Sequence, residues 1–457
     1  MSELVTPSEI AVELGVDPSA VRRWLSARHA SGDPRLTDHV PGSRWRFDRG
    51  LAFDLARQFA AEKLGATDEE VRGPHGWRNW YAFEAGRPAR TSRKTSTSLV
   101  LPSWEEHALY TDAPLSGELS LGPFRLINTL AGDGGARSQA RLAVILRASD
   151  HLAEPDYASL IDDEDVTAYF GGDLSDEFAA LLALCLNRRM RSGGIVRSAF
   201  GEPAQPGTPI EYGHRPPVLA AAHGRPLLPG LAAPANLADA RVYLEHYRDL
   251  DERDATAVVR AARQFADALW LADADPRLAW LKLVGAIESA ANSWDAAQHE
   301  SPIEQLRRHR RRTYQAIRHC GDDVIRRVAT DLAGTFKATQ KFKDFVLRFD
   351  PGPPVQRPEI GRFDWERLDA ALGWIYEHRS RELHAGTPFP GPLCEPAPGG
   401  EGVPVERFPA LAAENQGGRW LAEQLPMYMH TFAHIVGGAL RRWWRTLVPS
   451  PVDHRPD

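Results

Sequence analysis

The sequence predicts a multidomain, mainly α-helical protein with an α+β block in its middle. Three observations carry this. First, 457 residues call for roughly two to four units, at about 150 residues per unit. Second, apolar residues recur at helical spacing through residues 1–65 and 240–450, whereas 75–235 mixes short strand-like runs with one clear helix. Third, Pro- and Gly-rich stretches at 200–234 and 351–358 break regular structure. The expected units are therefore 1–65, 75–235 and 240–450, with no internal repeat.

Composition narrows the function classes. The formal net charge is −6. A chain-wide basic footprint for nucleic acid is excluded, so any such contact needs a local patch. Cys185, Cys320 and Cys394 are far apart and form no CxxC pair. Neither a disulfide framework nor a cysteine zinc site is expected, and a reducing compartment fits. The opening Met1-Ser2-Glu3-Leu4-Val5 lacks a basic segment followed by an apolar one, and no apolar run is long enough to span a bilayer. The expectation is a cytoplasmic protein with no membrane partner.

The first unit is punctuated by caps. Thr6-Pro7-Ser8-Glu9 is a capping box with Pro at the first helical position. Ile10, Ala11 and Leu14 form an apolar face, and Gly15-Val16 turns the chain. Asp17 caps a second helix, with Val21, Trp24 and Leu25 inward and Ser19, Arg22 and Arg23 directed elsewhere. Gly42 to Phe47 alternates like a small hairpin wing. Asp48 then caps a third helix bearing Leu51, Leu55 and Phe59. A short helix, a turn and a second helix with outward arginines is the helix-turn-helix pattern. These residues, about one seventh of the chain, resemble the winged or MerR-like helix-turn-helix modules of bacterial regulators. The resemblance implies DNA contact, with Ser19, Arg22 and Arg23 in the major groove and Arg44 and Arg46 on the backbone. A small interaction domain that packs on protein is the other reading.

In the middle block, Leu142-Ala143-Val144-Ile145-Leu146 reads as a buried strand, and Leu121-Gly122-Pro123-Phe124 as a turn entering another. Asp176 to Met190 reads as an amphipathic helix closed by Arg188, Arg189 and Arg191, cations that suit a helix C-terminus. Trp77, Trp80 and Tyr81 are interleaved with Arg78 and followed by Arg90, Arg93 and Lys94. Such a pattern stacks single-stranded nucleic acid, or is simply core aromatics beside solvated charges.

The last block carries the chemistry. Trp280, Leu283, Val284, Ile287 and Ala291 share one helical face, with Glu288 beside it. Lys341 to Val346 is a further helical segment, and Trp420 to Leu447 reads as the final helix. Asp364 is a natural N-cap for a helix whose Leu368, Leu372, Ile375, Arg379 and Leu383 form one stripe. An arginine on an apolar stripe requires a partner. His384 lies in the last turn, before Ala385-Gly386-Thr387-Pro388 stops the helix. Arg379 paired with a structural carboxylate such as Glu288, with His384 as a helix-end cap, is one reading of these residues.

Arg379-Ser380-Arg381-Glu382-Leu383-His384 resembles the Arg, four to six residues, His signature of HEPN ribonucleases, including the polar Ser380 after the Arg. Trp374-Ile375-Tyr376, Ala385-Gly386 and the upstream Trp280–Ser289 helix are similar to the Apea-like HEPN branch, over roughly residues 270–450. That branch often has Gly directly after the His; here Ala385 intervenes. The resemblance implies a C-terminal HEPN-type helical bundle that cleaves RNA with no metal or other cofactor. Arg379 and His384 would be catalytic, Ser380 and Glu288 supporting. One motif supplies one His, so two copies meeting in a homodimer would supply both an acid and a base. An antiphage defence or toxin effector is the role implied. A DNA-binding regulator whose HEPN-like domain only dimerises is the alternative. Arg307 to Arg312, the densest basic run, either guides RNA phosphates or is a solvated face. His378 has no expected role.

Overall fold

Capping chemistry sets the first elements of the structure, a computed structural model. It describes residues 5–14, 16–31, 33–36, 44–47, 49–59, 77–86, 91–93, 100–102, 104–129, 140–149, 151, 169–198, 216–220, 222, 224–296, 302–309, 311–336, 338–399, 403–415 and 417–447. Helix α1 (Pro7–Leu14) opens on the capping box, with Glu9 N–H donating to Thr6 Oγ1 at 3.4 Å and Thr6 N–H donating to the Glu9 carboxylate. Helix α2 (Pro18–Ala30) is capped by Asp17, whose Oδ1 accepts the Ser19 N–H at 2.8 Å. Together with α3 (Arg49–Phe59), these helices close a core of Ile10, Val21, Trp24, Leu25, Leu36, Phe47, Leu55 and Phe59. Residues 44–46 carry no hairpin pairing, and Phe47 bridges to Val5. Gly42, Ser43 and the expected cap Asp48 lie outside the described residues.

The second unit begins with α4 (Arg78–Glu84), β1 (Thr91–Arg93) and β2 (Val100–Pro102). There follow β3 (Trp104–Thr111), β4 (Leu115–Ser116), β5 (Leu119–Leu121), β6 (Phe124–Asn128), β7 (Arg141–Ser149), α5 (Leu174–Leu186) and β8 (Arg191–Ser198). Five strands form an antiparallel sheet in the order β5-β6-β7-β3-β8. The β5–β6 turn needs Gly122: its φ is +55°, and a Cβ there would lie 2.4 Å from Trp80 Cδ1. Trp77, Trp80 and Tyr81 are buried, and Trp77 stacks on Phe178 of α5 with ring centroids 4.8 Å apart. They are core aromatics. Helix α5 is capped by Asp173 and ends at Leu186, because Asn187 takes a left-handed conformation with φ 51°. Arg188 and Arg189 therefore lie past the helix and Arg191 opens β8, so the basic last turn expected from the sequence does not exist.

The remaining chain is mostly helical: β9 (Ala235–Asn236), α6 (Arg241–Tyr247), α7 (Glu252–Leu271), α8 (Pro276–Ala296), α9 (Pro302–His309), α10 (Arg311–Ile317) and α11 (Asp322–Phe336). Then come α12 (Ala338–Arg348), α13 (Leu368–Ala385), β10 (Ala412–Asn415), β11 (Gly418–Leu421) and α14 (Met429–Leu447). Trp420 is not in the final helix. Gly417, with φ 87°, turns β10 into β11, and Pro426 precedes the start of α14 at Met429.

Residues from Trp77 to Trp444 share one continuous core, so the sheet block and the helical block pack as one body. The seam is polar as well as apolar. Arg441 donates to the Leu184 carbonyl at 2.9 Å, and the Tyr247 hydroxyl donates to the buried Glu177 carboxylate. Trp280 of α8 is sandwiched between Phe389 and Phe432, at centroid distances of 5.5 and 5.2 Å. Among the described residues, no helix is long and apolar enough to cross a membrane.

Candidate active site on the last turns of helix α13

Helix α13 carries its own start and stop. Asp364 accepts the Glu366 N–H at 3.1 Å and caps a short 3₁₀ turn that leads into Leu368. At the other end Gly386 sits at φ +65°, and its N–H, like that of Thr387, returns to the Arg381 carbonyl. Between them Leu368, Leu372 and Ile375 are fully buried. The stripe then leaves the core: Arg379 is half-buried, while Leu383 and His384 are exposed.

Arg379 meets Glu288 of α8, its Nη2 donating to Oε2 at 2.7 Å. The other oxygen of Glu288 accepts the Tyr376 hydroxyl at 3.0 Å, one turn back on α13. The Arg379 guanidinium carbon also lies 5.5 Å from the Tyr376 ring centre. Burial first, and then the Glu288 charge, push the Tyr376 phenol up to about 12. Tyr376 thus stays a neutral donor, and Glu288 is oriented from both sides. The sequence pattern assigns Tyr376 no role. Its spacing of three residues from Arg379 was the available signal.

His384 follows Arg379 by five residues, which turns it about 140° around the helix axis. It therefore does not share the Arg379 face. Helices α8 and α13 run antiparallel, since Glu288 meets Tyr376 and Arg379 while Trp280 packs on Phe389 beyond the α13 end. His384 is exposed on the last turn of α13. Ser380 is half-buried beside Arg379. Alongside, Ala370, Gly373, Trp374, Glu377 and Arg381 line an open groove of about 400 Å³ on the outer face of α13. His378 is buried and bonds the Gln424 carbonyl at 2.7 Å, and burial lowers its pKa. It is a structural side chain.

The expected nucleic-acid residues of the first unit are partly engaged. Ser19 is tied into the α2 cap: its hydroxyl donates to Asp17 and accepts from Arg23 Nη1 at 3.1 Å. The Ser19 hydroxyl also holds the Asp17 carboxyl below its usual range. Arg22 donates to Ser8 Oγ at 2.7 Å. Arg22, Arg23, Arg44 and Arg46 are all exposed. In the basic run, Arg307 bonds the Tyr314 hydroxyl at 2.8 Å and lies over its ring. Among the described residues, no group of three or more His, Cys, Asp or Glu is placed to hold a metal ion. Comparison with family models, curated proteins and solved structures gives no match.

Proposed function

We propose that this chain is a metal-independent endoribonuclease of HEPN type. The observation that supports it most is the Arg379–Glu288–Tyr376 cluster, which holds a partly exposed guanidinium five residues before an exposed imidazole. In the reaction, an RNA 2′-hydroxyl attacks the adjacent phosphorus. The bond to the 5′-oxygen breaks, leaving a 2′,3′-cyclic phosphate and a 5′-hydroxyl. His384, an exposed imidazole with one nitrogen to accept and one to donate, moves the protons. Arg379 steadies the charge that develops on the non-bridging oxygens. Its bond to Glu288 uses one of the five N–H donors of a guanidinium, and a planar fork suits phosphate.

The angular separation of Arg379 and His384 favours a composite site. In a two-fold homodimer that packs against the last turns of α13, the His384 of a second copy meets the Arg379 of the first. Such an activity would suit an antiphage defence or toxin effector acting in the cytoplasm. The test is cleavage of labelled RNA in chelator by the parent, Arg379→Ala and His384→Ala chains. Parent-only cleavage is expected; equal cleavage by all three, or cleavage only on adding metal, contradicts the proposal.

The exposed Arg22, Arg23, Arg44 and Arg46 favour a second reading, a DNA-binding regulator in which the helical bundle only dimerises. A chain with Arg22→Ala and Arg23→Ala that binds duplex DNA as well as the parent rules out the α2 contact.

A further inference from the structure

A single registered row of side chains crosses the whole five-stranded sheet: Ser120 opposite Arg125, Arg125 opposite Arg147, Arg147 opposite Glu106, and Glu106 opposite Arg197. Glu106 is fully buried at the centre of the row. Its Oε1 accepts from Arg147 Nε at 2.7 Å, and its Oε2 accepts from Arg197. Both carboxylate oxygens are consumed in fixing two guanidinium groups. Arg147 is further steadied by Trp104, its guanidinium carbon 5.6 Å from the indole centre. Yet the row is open to solvent, with the side chains of Arg125, Arg147 and Arg197 exposed by 51, 41 and 26%.

One feature of the row works against folding. Arg125 stands directly opposite Arg147, and like charges facing each other across two strands are unfavourable. The carboxylate near Arg125 is Glu118, at 3.6 Å and itself exposed. Three arginines thus face two carboxylates, leaving one excess positive charge concentrated between Arg125 and Arg147. An anion seated there removes the repulsion. Because the Arg147 and Arg197 guanidiniums are already held by Glu106, and Arg147 also by Trp104, little of their side-chain freedom is lost on binding.

We infer that this row is a holding surface for single-stranded RNA, its phosphates lying along Arg197, Arg147 and Arg125. Three strand spacings of about 4.8 Å make the row about 14 Å long, which suits a few nucleotides rather than a lone small ion. Arg147 stacked on Trp104 adds a planar surface for an unpaired base, which a duplex does not offer. This rests on the reading of the chain as an RNA-cleaving enzyme, for which the row supplies grip away from Arg379 and His384.

The test measures binding of a labelled single-stranded RNA to the full chain carrying His384→Ala, so that turnover does not enter. Arg125→Glu is the diagnostic variant, since Arg125 is exposed and has only the loose Glu118 pair to lose. It should weaken binding at least about fivefold and lower the salt slope by roughly one unit. Photo-crosslinking with thiouridine-substituted RNA should label the peptide spanning Trp104–Ser149. Unchanged affinity and slope in Arg125→Glu, no measurable RNA binding, or tighter binding of duplex DNA through the same row each overturn the inference. If the His384→Ala chain binds RNA through the row while the parent cuts none, the holding surface stands and the ribonuclease reading fails.

Discussion

Two of the arginine–carboxylate centres of the molecule, at Arg189 and at Arg379, differ in what they can do. Arg189 links the sheet to the helices. It donates to Asp112 and Asp273 at 2.6 Å each and to the Leu269 carbonyl at 2.9 Å. Its side chain is 6% exposed, and its carboxylate partners 3 and 5%. Asp273 also accepts the Leu227 N–H at 2.9 Å. All three nitrogens of that guanidinium are committed and solvent is excluded. Arg379 and Glu288 are each 20% exposed, and the bond between them engages one guanidinium nitrogen. Burial and donor count separate a centre that locks the fold from one that can receive a phosphate.

The largest expected effect lies at the buried centre. Arg189→Ala strands Asp112 and Asp273 without their cation and should destabilise the chain by about 3–5 kcal/mol, read as a lower thermal or denaturant midpoint. Arg379→Ala should do the reverse. Its stability cost should be about 1 kcal/mol or less, while RNA cleavage falls by roughly 100-fold or more. If Arg379→Ala instead unfolds the chain as severely as Arg189→Ala, the contrast between the two centres collapses.

A pH effect sharpens the picture of the shared core. Burial raises the Glu177 carboxyl from 4.5 to about 7, while Tyr247 donates to it. The folded chain therefore keeps a proton that the unfolded chain releases between about pH 4.5 and 7. The stabilising contribution is complete below that window and is lost as pH rises through it. Its size is about 3 kcal/mol by the linkage of pKa to free energy. Glu177→Gln should flatten the dependence of thermal midpoint on pH across this window; an unchanged slope would mean that Glu177 is not the buried acid responsible. The smallest effect is expected at Tyr376→Phe, which removes one bond to Glu288. A stability loss of about 1 kcal/mol and a cleavage loss of up to about tenfold should appear, with little change in substrate affinity.

What the sequence makes legible is local. The caps at Thr6, Asp17 and Asp364, the stop at Gly386 and the apolar face of α8 all depend on residues a turn or two apart, and the structure carries each of them. The Glu288–Arg379 pair was legible as a need, because an arginine on an apolar stripe requires a carboxylate. Long-range register was not. Arg191 and Trp420 looked helical by composition, but a left-handed Asn187 and a Gly417 turn put them in strands. The row through Glu106 was invisible because it joins residues 41 and 91 positions apart. The sequence leaves Trp77, Trp80 and Tyr81 open between an aromatic–basic surface and core aromatics, and they are core. The single core spanning the sheet and the helices arises from contacts such as Arg441 to Leu184, which no local pattern announces.

The central claim is that Arg379 and His384 act together on RNA across two copies of the chain. The most direct measurement mixes Arg379→Ala and His384→Ala chains in chelator and follows the release of fragments with 2′,3′-cyclic phosphate ends. Each variant alone should be inactive and the mixture should recover a substantial part of the parent rate, because one copy brings the arginine and the other the histidine. A mixture as inactive as its components beside an active parent would contradict the shared site, and a parent that releases no such fragments would contradict the claim altogether.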